Sequence, residues 1–149
     1  MAERRTRQRL PHHDLHADRE PLLREPRHAR IVTDALFWMR DQGRIRLHGF
    51  VIMPDHVHCA LALEPGSTLR RVLQTLKGFT ARQINLKRKS DRSVWQEQYR
   101  DNRMTDYEEV RCAILYIHEN PVRAGLVSQP EEYAFSGAHP RFRNKLDAW

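Results

Sequence analysis

Cysteine is scarce in this chain: Cys59 and Cys112 are the only two in 149 residues, each inside an apolar pattern and neither at metal-ligand spacing. That excludes a disulfide framework and a cysteine-built metal centre, and both thiols read as free, buried groups in a reducing compartment. Long hydrophobic runs are absent too. No apolar stretch approaches the ~20 residues needed to cross a bilayer, and the opening MAERRTRQRL has no signal-peptide core. The expectation is a soluble, cytoplasmic protein with no membrane partner. There are no internal repeats and no clear linker, and the length suits one domain with a real core.

Acidic residues are also in deficit. Lys and Arg total 26 against 19 Asp and Glu, a net charge of +7, with a pI near 10.0. Such an excess attracts polyanions over a long range, and nucleic acid is the commonest such partner. The hydrophobic fraction of 40% supports a core, while a mean hydropathy of −0.76 describes a very polar surface.

The most informative stretch is Phe50 to Leu63, FVIMPDHVHCALAL. His56 and His58 are one residue apart in an apolar run, so on a strand they share a face. Two imidazoles converging from one rigid strand can hold a metal ion. A strand end with two satisfied surface histidines is the plain alternative, and the fragment alone does not decide. Ala60 and Ala62 continue the histidine face, leaving room for another element or a ligand, while Val57, Cys59, Leu61 and Leu63 share the other face.

Residues 1–25 read as a basic, irregular or disordered leader. Arg4, Arg5, Arg7 and Arg9 precede LPHHDLHAD, whose His12, His13 and His16 read as solvated loop histidines. From Pro26 the pattern turns helical, with Ile31, Val32, Ala35, Leu36 and Met39 at helical spacing and Gly43 at a glycine-cap position. Arg44 to Met53 reads as a strand, Pro54-Asp55 as a turn, and HVHCALAL as its antiparallel partner. Ser67 or Thr68 caps a long helix carrying Leu69, Val72, Leu73, Leu76, Phe79 and Ile84. Its polar side holds Arg70, Arg71, Lys77, Arg82, Lys87, Arg88 and Lys89, with no acidic residue between Arg70 and Lys89. That unbalanced sign favours a phosphate-tracking face over a merely solvated one. Ser93 to Met104 reads as extended. Thr105 and Glu108 form a capping box opening a last helix, expected to stop near Asn120 because Pro121 disfavours helix at the residue before it.

From Pro26 the order is thus helix, strand, strand, helix, strand, helix. One more strand in front would give the βαββαβ order of a ferredoxin-like α+β fold, an antiparallel sheet with helices packed on it. That first strand would lie at the sheet centre, and in residues 1–25 it reads as missing or degenerate.

Tyr116 and Asn120 lie one turn apart on one face of the last helix. A phenol can act as a nucleophile, although at its ordinary pKa near ~10 it needs activation or a polarised electrophile. A divalent ion on His56 and His58 could polarise a phosphoryl oxygen, with Asn120 as a neutral oxygen ligand. Taken singly, Tyr116 reads rather as a half-buried helix tyrosine with its hydroxyl at the rim, and Asn120 as a helix-terminal residue before proline.

In combination, MPDHVHCAL, LKGFTARQIN, VWQEQYRD, YIHENPVRAGLV and EEYAFSGA resemble the REP-associated tyrosine transposases. These are relatives of the single-tyrosine insertion-sequence transposases that share a His-hydrophobic-His (HUH) motif. The similarity runs in order from about Asp18 to Ala138, placing one transposase-like domain at 26–138 with a basic tail at 139–149. The resemblance implies a single-strand DNA endonuclease and strand transferase, in which the tyrosine attacks a phosphodiester to leave a 5′-phosphotyrosine and a free 3′-hydroxyl. Tyr116 takes the nucleophile's place, His56, His58 and Asn120 the metal ligands', and Mg2+ or Mn2+ is the implied ion. Family substrates are imperfect palindromic hairpins, so single-stranded or hairpin DNA is the implied partner, met by a monomer or homodimer associated with the nucleoid. Arg70, Arg71, Lys77, Arg82, Lys87, Arg88 and Arg123 would contact phosphates, with Trp95 and Tyr99 as stacking surfaces.

The sequence departs from the family pattern in one respect. Members open with a strand of the type tyrosine-histidine-valine-threonine-phenylalanine-arginine, whereas here RLPHHDLHA runs directly into DREPLL. A central strand cannot vanish without leaving its neighbours' ladder groups unpaired. Either the leader serves as a poor strand, another segment fills the gap, or the chain is a decayed, non-catalytic hairpin-binding protein. A zinc-stabilised structural module fits less well, since two histidines make a poor closed zinc site.

Overall fold

The computed structural model describes residues 10–17, 21–104 and 106–149, with side chains described at 15–17, 21–97 and 106–149. Four strands form one antiparallel sheet: β1 (Leu10–Ala17), β2 (Ile45–Ile52), β3 (His56–Leu63) and β4 (Trp95–Met104). Their spatial order is β2-β3-β1-β4. Three helices pack on it: α1 (Pro26–Asp41), α2 (Leu69–Arg88) and α3 (Tyr107–Arg123). This is the α+β, ferredoxin-like arrangement expected from the element order.

The strand that seemed missing is present. LPHHDLHA, read as irregular, forms β1 at the sheet centre, paired with β3 from His12↔Ala60 to His16↔His56 and with β4 from Leu10↔Met104 to Ala17↔Trp95. Its composition is poor for a strand, but two flanking strands offer it ladder partners on both sides. Pro11 lies beyond the last β3 partner, at the strand's start, where a missing N–H is tolerated. Leu15 is fully buried and Ala17 nearly so, fixing which face points inward. The Ala17 N–H also donates to Asp55 O at 2.8 Å, tying β1 to the β2–β3 turn.

The sheet separates two apolar layers. On one face, Leu15, Phe50, Val57, Cys59 and Leu61 pack with Val32, Leu36 and Met39 of α1 and Val72, Leu76 and Ile84 of α2. On the other, Val51, Ala60 and Ala62 pack against Val110, Ile114 and Ile117 of α3. The small alanines on the histidine face therefore admit α3, as their size suggested. Cys59 is buried, but Cys112, expected to be buried as well, is exposed on α3.

Caps fix the helix ends. Thr68 caps α2, its side chain accepting from Arg71 N at 3.3 Å. α3 starts later than the expected box at Thr105, which lies outside the described residues: Asp106 is the cap, accepting from Glu109 N at 2.9 Å. It also ends later. Pro121 sits inside the last turn, not beyond it, and the helix closes at Arg123. Gly125 at φ +75° terminates it, with Gly125 N–H to Val122 O at 3.0 Å and Leu126 N–H to Pro121 O at 2.9 Å. This pair of bonds is a Schellman motif, and it satisfies carbonyls that a helix running into proline would otherwise strand.

Residues 133–149, expected in part as a basic tail, strap the outer edge of β2. Ile52 N–H donates to Phe135 O at 2.9 Å, Gly137 N–H to Phe50 O at 2.8 Å, and Asp147 N–H to Leu47 O at 2.8 Å. The Asp147 carboxylate accepts in return from Leu47 N–H at 2.8 Å and pairs with Arg40 at 3.1 Å.

Candidate active site

β3 enters the sheet at His56, so both histidines are held on rigid backbone beside the β2–β3 turn. Their Nε2 atoms stand 2.9 Å apart, with rings nearly perpendicular. Asp55, read from sequence only as a turn residue, accepts a hydrogen bond from His56 Nδ1 at 2.6 Å. That bond holds the Asp55 carboxyl below its usual range, aided by the charge of His56 and His16 and opposed by partial burial. With Nδ1 carrying the proton, a neutral His56 presents Nε2 as a lone pair. The two Nε2 atoms are within hydrogen-bonding distance of each other, the donor being set by the tautomers.

Two nitrogens each ~2.1 Å from one ion and at a right angle stand about 3 Å apart. The observed 2.9 Å separation fits that arrangement. His56 and His58 can therefore serve as adjacent ligands once each Nε2 is unprotonated and aimed at the ion. Among the described residues no cluster of three or more His, Cys, Asp or Glu gathers around such a point. Further ligands would have to be neutral oxygens, water or substrate.

α3 lies across this face and brings Tyr116 over His58, the ring centroids 6.3 Å apart and the planes at 83°. Tyr116 is 52% exposed, open to an incoming chain. Arg123 lies 4.0 Å above the Tyr116 ring and donates from Nη2 to Tyr116 O at 2.7 Å, so this cation covers the phenol. Asn120, half-buried, follows Tyr116 by one turn on the same helix. Beneath the helix, His118 lodges between Gly49 of β2 and Gly137 of the strap, where an added Cβ would stand 3.3 Å and 2.7 Å from Nε2. His118 Nε2 is buried with no hydrogen-bond partner among the described residues, and burial pushes the imidazole's pKa down to about 4. It is a neutral wedge seating α3 on the sheet.

His16 joins the site from β1. It is the cross-strand partner of His56 and stacks on it, ring centroids 5.3 Å apart and planes 19° from parallel. His16 is not the loop histidine expected, because the segment that carries it is a strand. The alternation of His12, Asp14 and His16 is a strand period that could have flagged it. For Asp55, adjacency to the histidine pair was the available signal.

The residues expected to meet DNA divide. Arg70, Arg71, Arg82 and Lys87 are exposed along α2, which packs on the sheet face opposite Tyr116 and the histidines. Lys77 instead donates to Gln96 O at 2.9 Å, and Arg88 binds Asn85 Oδ1 at 2.6 Å and Arg92 O at 3.0 Å, closing the α2–β4 loop. Trp95 is no stacking surface. It is 6% exposed, and its indole N–H donates to Thr80 Oγ1 at 2.9 Å inside the core. The Tyr99 side chain lies outside the described residues.

Comparison with known proteins accords with this geometry. The family model described as "Transposase IS200 like" matches residues 16–120. Among curated proteins, the REP-associated tyrosine transposase of Escherichia coli (strain K12) is 22% identical over 114 residues, covering 73% of this chain and 64% of that protein. This chain thus spans less than two thirds of that relative. Among solved structures, the REP-associated tyrosine transposase bound to a REP hairpin superposes with a TM-score of 0.73 at 19% identity, over 95% of this chain and 84% of that one. A Deinococcus radiodurans R1 protein assigned as a transposase matches with a TM-score of 0.51 at 25% identity, over 75% and 90% of the two chains. Among the described residues no helix is long and apolar enough to cross a membrane. With the matched span running from His16 on β1 through the histidine pair to Asn120 on α3, the chain belongs to the IS200-like transposase family.

Proposed function

We propose that this protein is a DNA endonuclease and strand transferase that cleaves and rejoins single-stranded, hairpin-bearing DNA through Tyr116. The observation that carries the reading is the placement of the Tyr116 ring 6.3 Å from His58, whose Nε2 is 2.9 Å from that of His56. Sequence blocks far apart in the chain thus converge on one open face. The hairpin relative adds support, since a protein that superposes on this chain with a TM-score of 0.73 was solved bound to a REP hairpin.

In the proposed step, Tyr116 Oη forms a bond to a DNA phosphorus and the bond to the 3′ oxygen breaks. That oxygen leaves as a 3′-hydroxyl after taking a proton, and the phenol's proton passes to solvent. The product is a 5′-phosphotyrosine, and attack by a 3′-hydroxyl reverses the sequence to reseal the strand. His56, His58 and Asn120 would hold a Mg2+ or Mn2+ ion, which when bound supplies charge stabilisation at the phosphoryl oxygens. Arg123 restrains the Tyr116 ring, and Asp55 and His16 restrain His56, so the groups are oriented before DNA arrives. β1 fills the central place whose apparent loss motivated the alternative of a decayed, purely binding protein, and the adduct separates the two readings.

The test is a covalent protein–DNA adduct on a denaturing gel, formed with a hairpin oligonucleotide and a divalent ion. Wild type should form it, and Tyr116→Phe should not. Equal cleavage by both proteins would sink the mechanism.

A further inference from the structure

Arg30, Arg141 and Lys145 line one cleft of about 280 Å3 between α1 and the C-terminal strap, together with Asp34, Phe135 and Phe142. Three cations face a single carboxylate there. Among the described residues none of the three has an ion-pair partner, whereas Arg40 is engaged by Asp147 at 3.1 Å and Arg46 by Glu64 at 3.2 Å. Unpaired like charges gathered in one cleft repel, and a bound anion relieves that cost.

The cleft is built on fixed parts. The Arg141 guanidinium lies 5.0 Å over the Phe142 ring and 6.0 Å over Phe135, and it donates to Ala134 O at 2.9 Å. Phe142 in turn stacks on Phe37 at 5.5 Å and meets Phe50 edge-on at 5.6 Å, anchoring the cleft floor in the core. Lys145 N–H donates to Phe142 O at 2.8 Å, holding the turn that presents its side chain. Arg30 projects from the first half of α1. The Arg141 guanidinium, held this way, loses little freedom on binding and matches phosphate oxygens well.

We propose that this cleft binds a phosphodiester of the DNA strand that leaves the hairpin. It rests on the DNA reading above but is separate from the cleavage centre, because α1, Phe135 and Phe142 belong to the layer on the opposite sheet face. A cleft of about 280 Å3 takes one phosphodiester with its sugar. Equal weakening of bare-hairpin binding in the charge-reversal variants would place the duplex stem there instead. A strand occupying both places passes around the strapped β2 edge.

The experiment measures binding of a hairpin with a single-stranded flank, and of the same hairpin without it, across a salt series. The proteins are wild type, Arg30→Glu, Lys145→Glu and the charge-conserving Arg30→Lys and Lys145→Arg. Arg141 is left in place because its bond to Ala134 O makes it a folding risk. Each reversal should weaken flanked-hairpin binding about tenfold and lower the salt slope by about 1, with bare-hairpin affinity unchanged and the conservative variants near wild type. Adduct yield at saturating DNA should stay at the wild-type level. Unchanged affinity and slope in both reversal variants would overturn the inference. So would amide shifts at Lys145 with inorganic phosphate but no change in DNA binding, which marks a free-phosphate site. Loss of flank binding in a protein that forms no adduct would support the cleft while removing the catalytic reading.

Discussion

His16 of β1 and His56 of β3 face each other across the ladder with their rings stacked, 5.3 Å between centroids. His56 is thereby held on one side by a ring and at Nδ1 by the Asp55 carboxylate. Orienting partners of this kind fix the tautomer and direction of a ligand imidazole and commonly matter ~10–100-fold in metal affinity. Asp55→Asn should therefore weaken Mn2+ binding about tenfold, read by electron paramagnetic resonance of free Mn2+. His16→Ala should weaken it several-fold, and His16→Phe, which keeps a stacking ring, should restore it. Wild-type Mn2+ affinity in both Asp55→Asn and His16→Ala would show that His56 needs neither restraint.

Arg123 sits 4.0 Å above the Tyr116 ring and donates to that residue's carbonyl. A cation on an aromatic face contributes ~0.5–2 kcal/mol, depending on exposure. Arg123→Ala should slow adduct formation about three- to tenfold at saturating DNA, and Arg123→Lys should recover part of it. A change confined to DNA affinity would assign Arg123 to phosphate binding instead.

Gly137 is the tight point of the strap: a Cβ there would lie 2.7 Å from His118 Nε2 and 3.0 Å from Leu146 Cδ1. Overpacking of this sort costs about 1–3 kcal/mol. Gly137→Ala should lower the urea midpoint accordingly. An unchanged midpoint would mean that α3 and the strap shift without cost.

Burial pushes His118 down to about 4 from the ordinary 6.5. The unfolded chain therefore takes a proton near pH 6.5, but the folded protein only near 4. Between those values the unfolded state holds more protons, so stability is complete above pH 6.5, declines toward pH 4 and levels off below it. The ceiling on this loss is about 3 kcal/mol. His48, lowered chiefly by burial, adds in the same direction. Denaturation midpoints measured from pH 4 to 7 should fall on acidification, with a shallower slope in His118→Gln. A flat wild-type profile would show that His118 is solvated in the native state.

The hairpin of β2 and β3, the faces of β3 and both long helices were legible because each carries a clear apolar period. β1 was not. Its strand identity comes from hydrogen-bonding partners on both sides, while Pro11, Asp14 and three histidines argue locally against it. The end of α3 misled for a related reason: Pro121 reads as a stop, but in the final turn its loss is confined to one bond and Gly125 rescues the carbonyls. At the candidate site, the approach of Tyr116 to the His56–His58 pair was legible from the motifs. Asp55 and His16 were not, since their proximity to His56 depends on a turn and on strand register. Trp95 looked like a surface aromatic because it lies in a polar segment, yet it faces inward to Thr80.

The strap along β2 also constrains how copies of this chain can meet. Bonds from Phe135, Gly137 and Asp147 occupy that border of the sheet, leaving β4 as the other outer strand. Joining β2 of one molecule to β4 of the next would repeat without end and produce a fibre. With β2 stitched, the free outer edge among the described strands is β4, and pairing β4 to β4 about a two-fold axis stops at two. Edge pairing through this sheet therefore ends at a closed pair and builds no fibre.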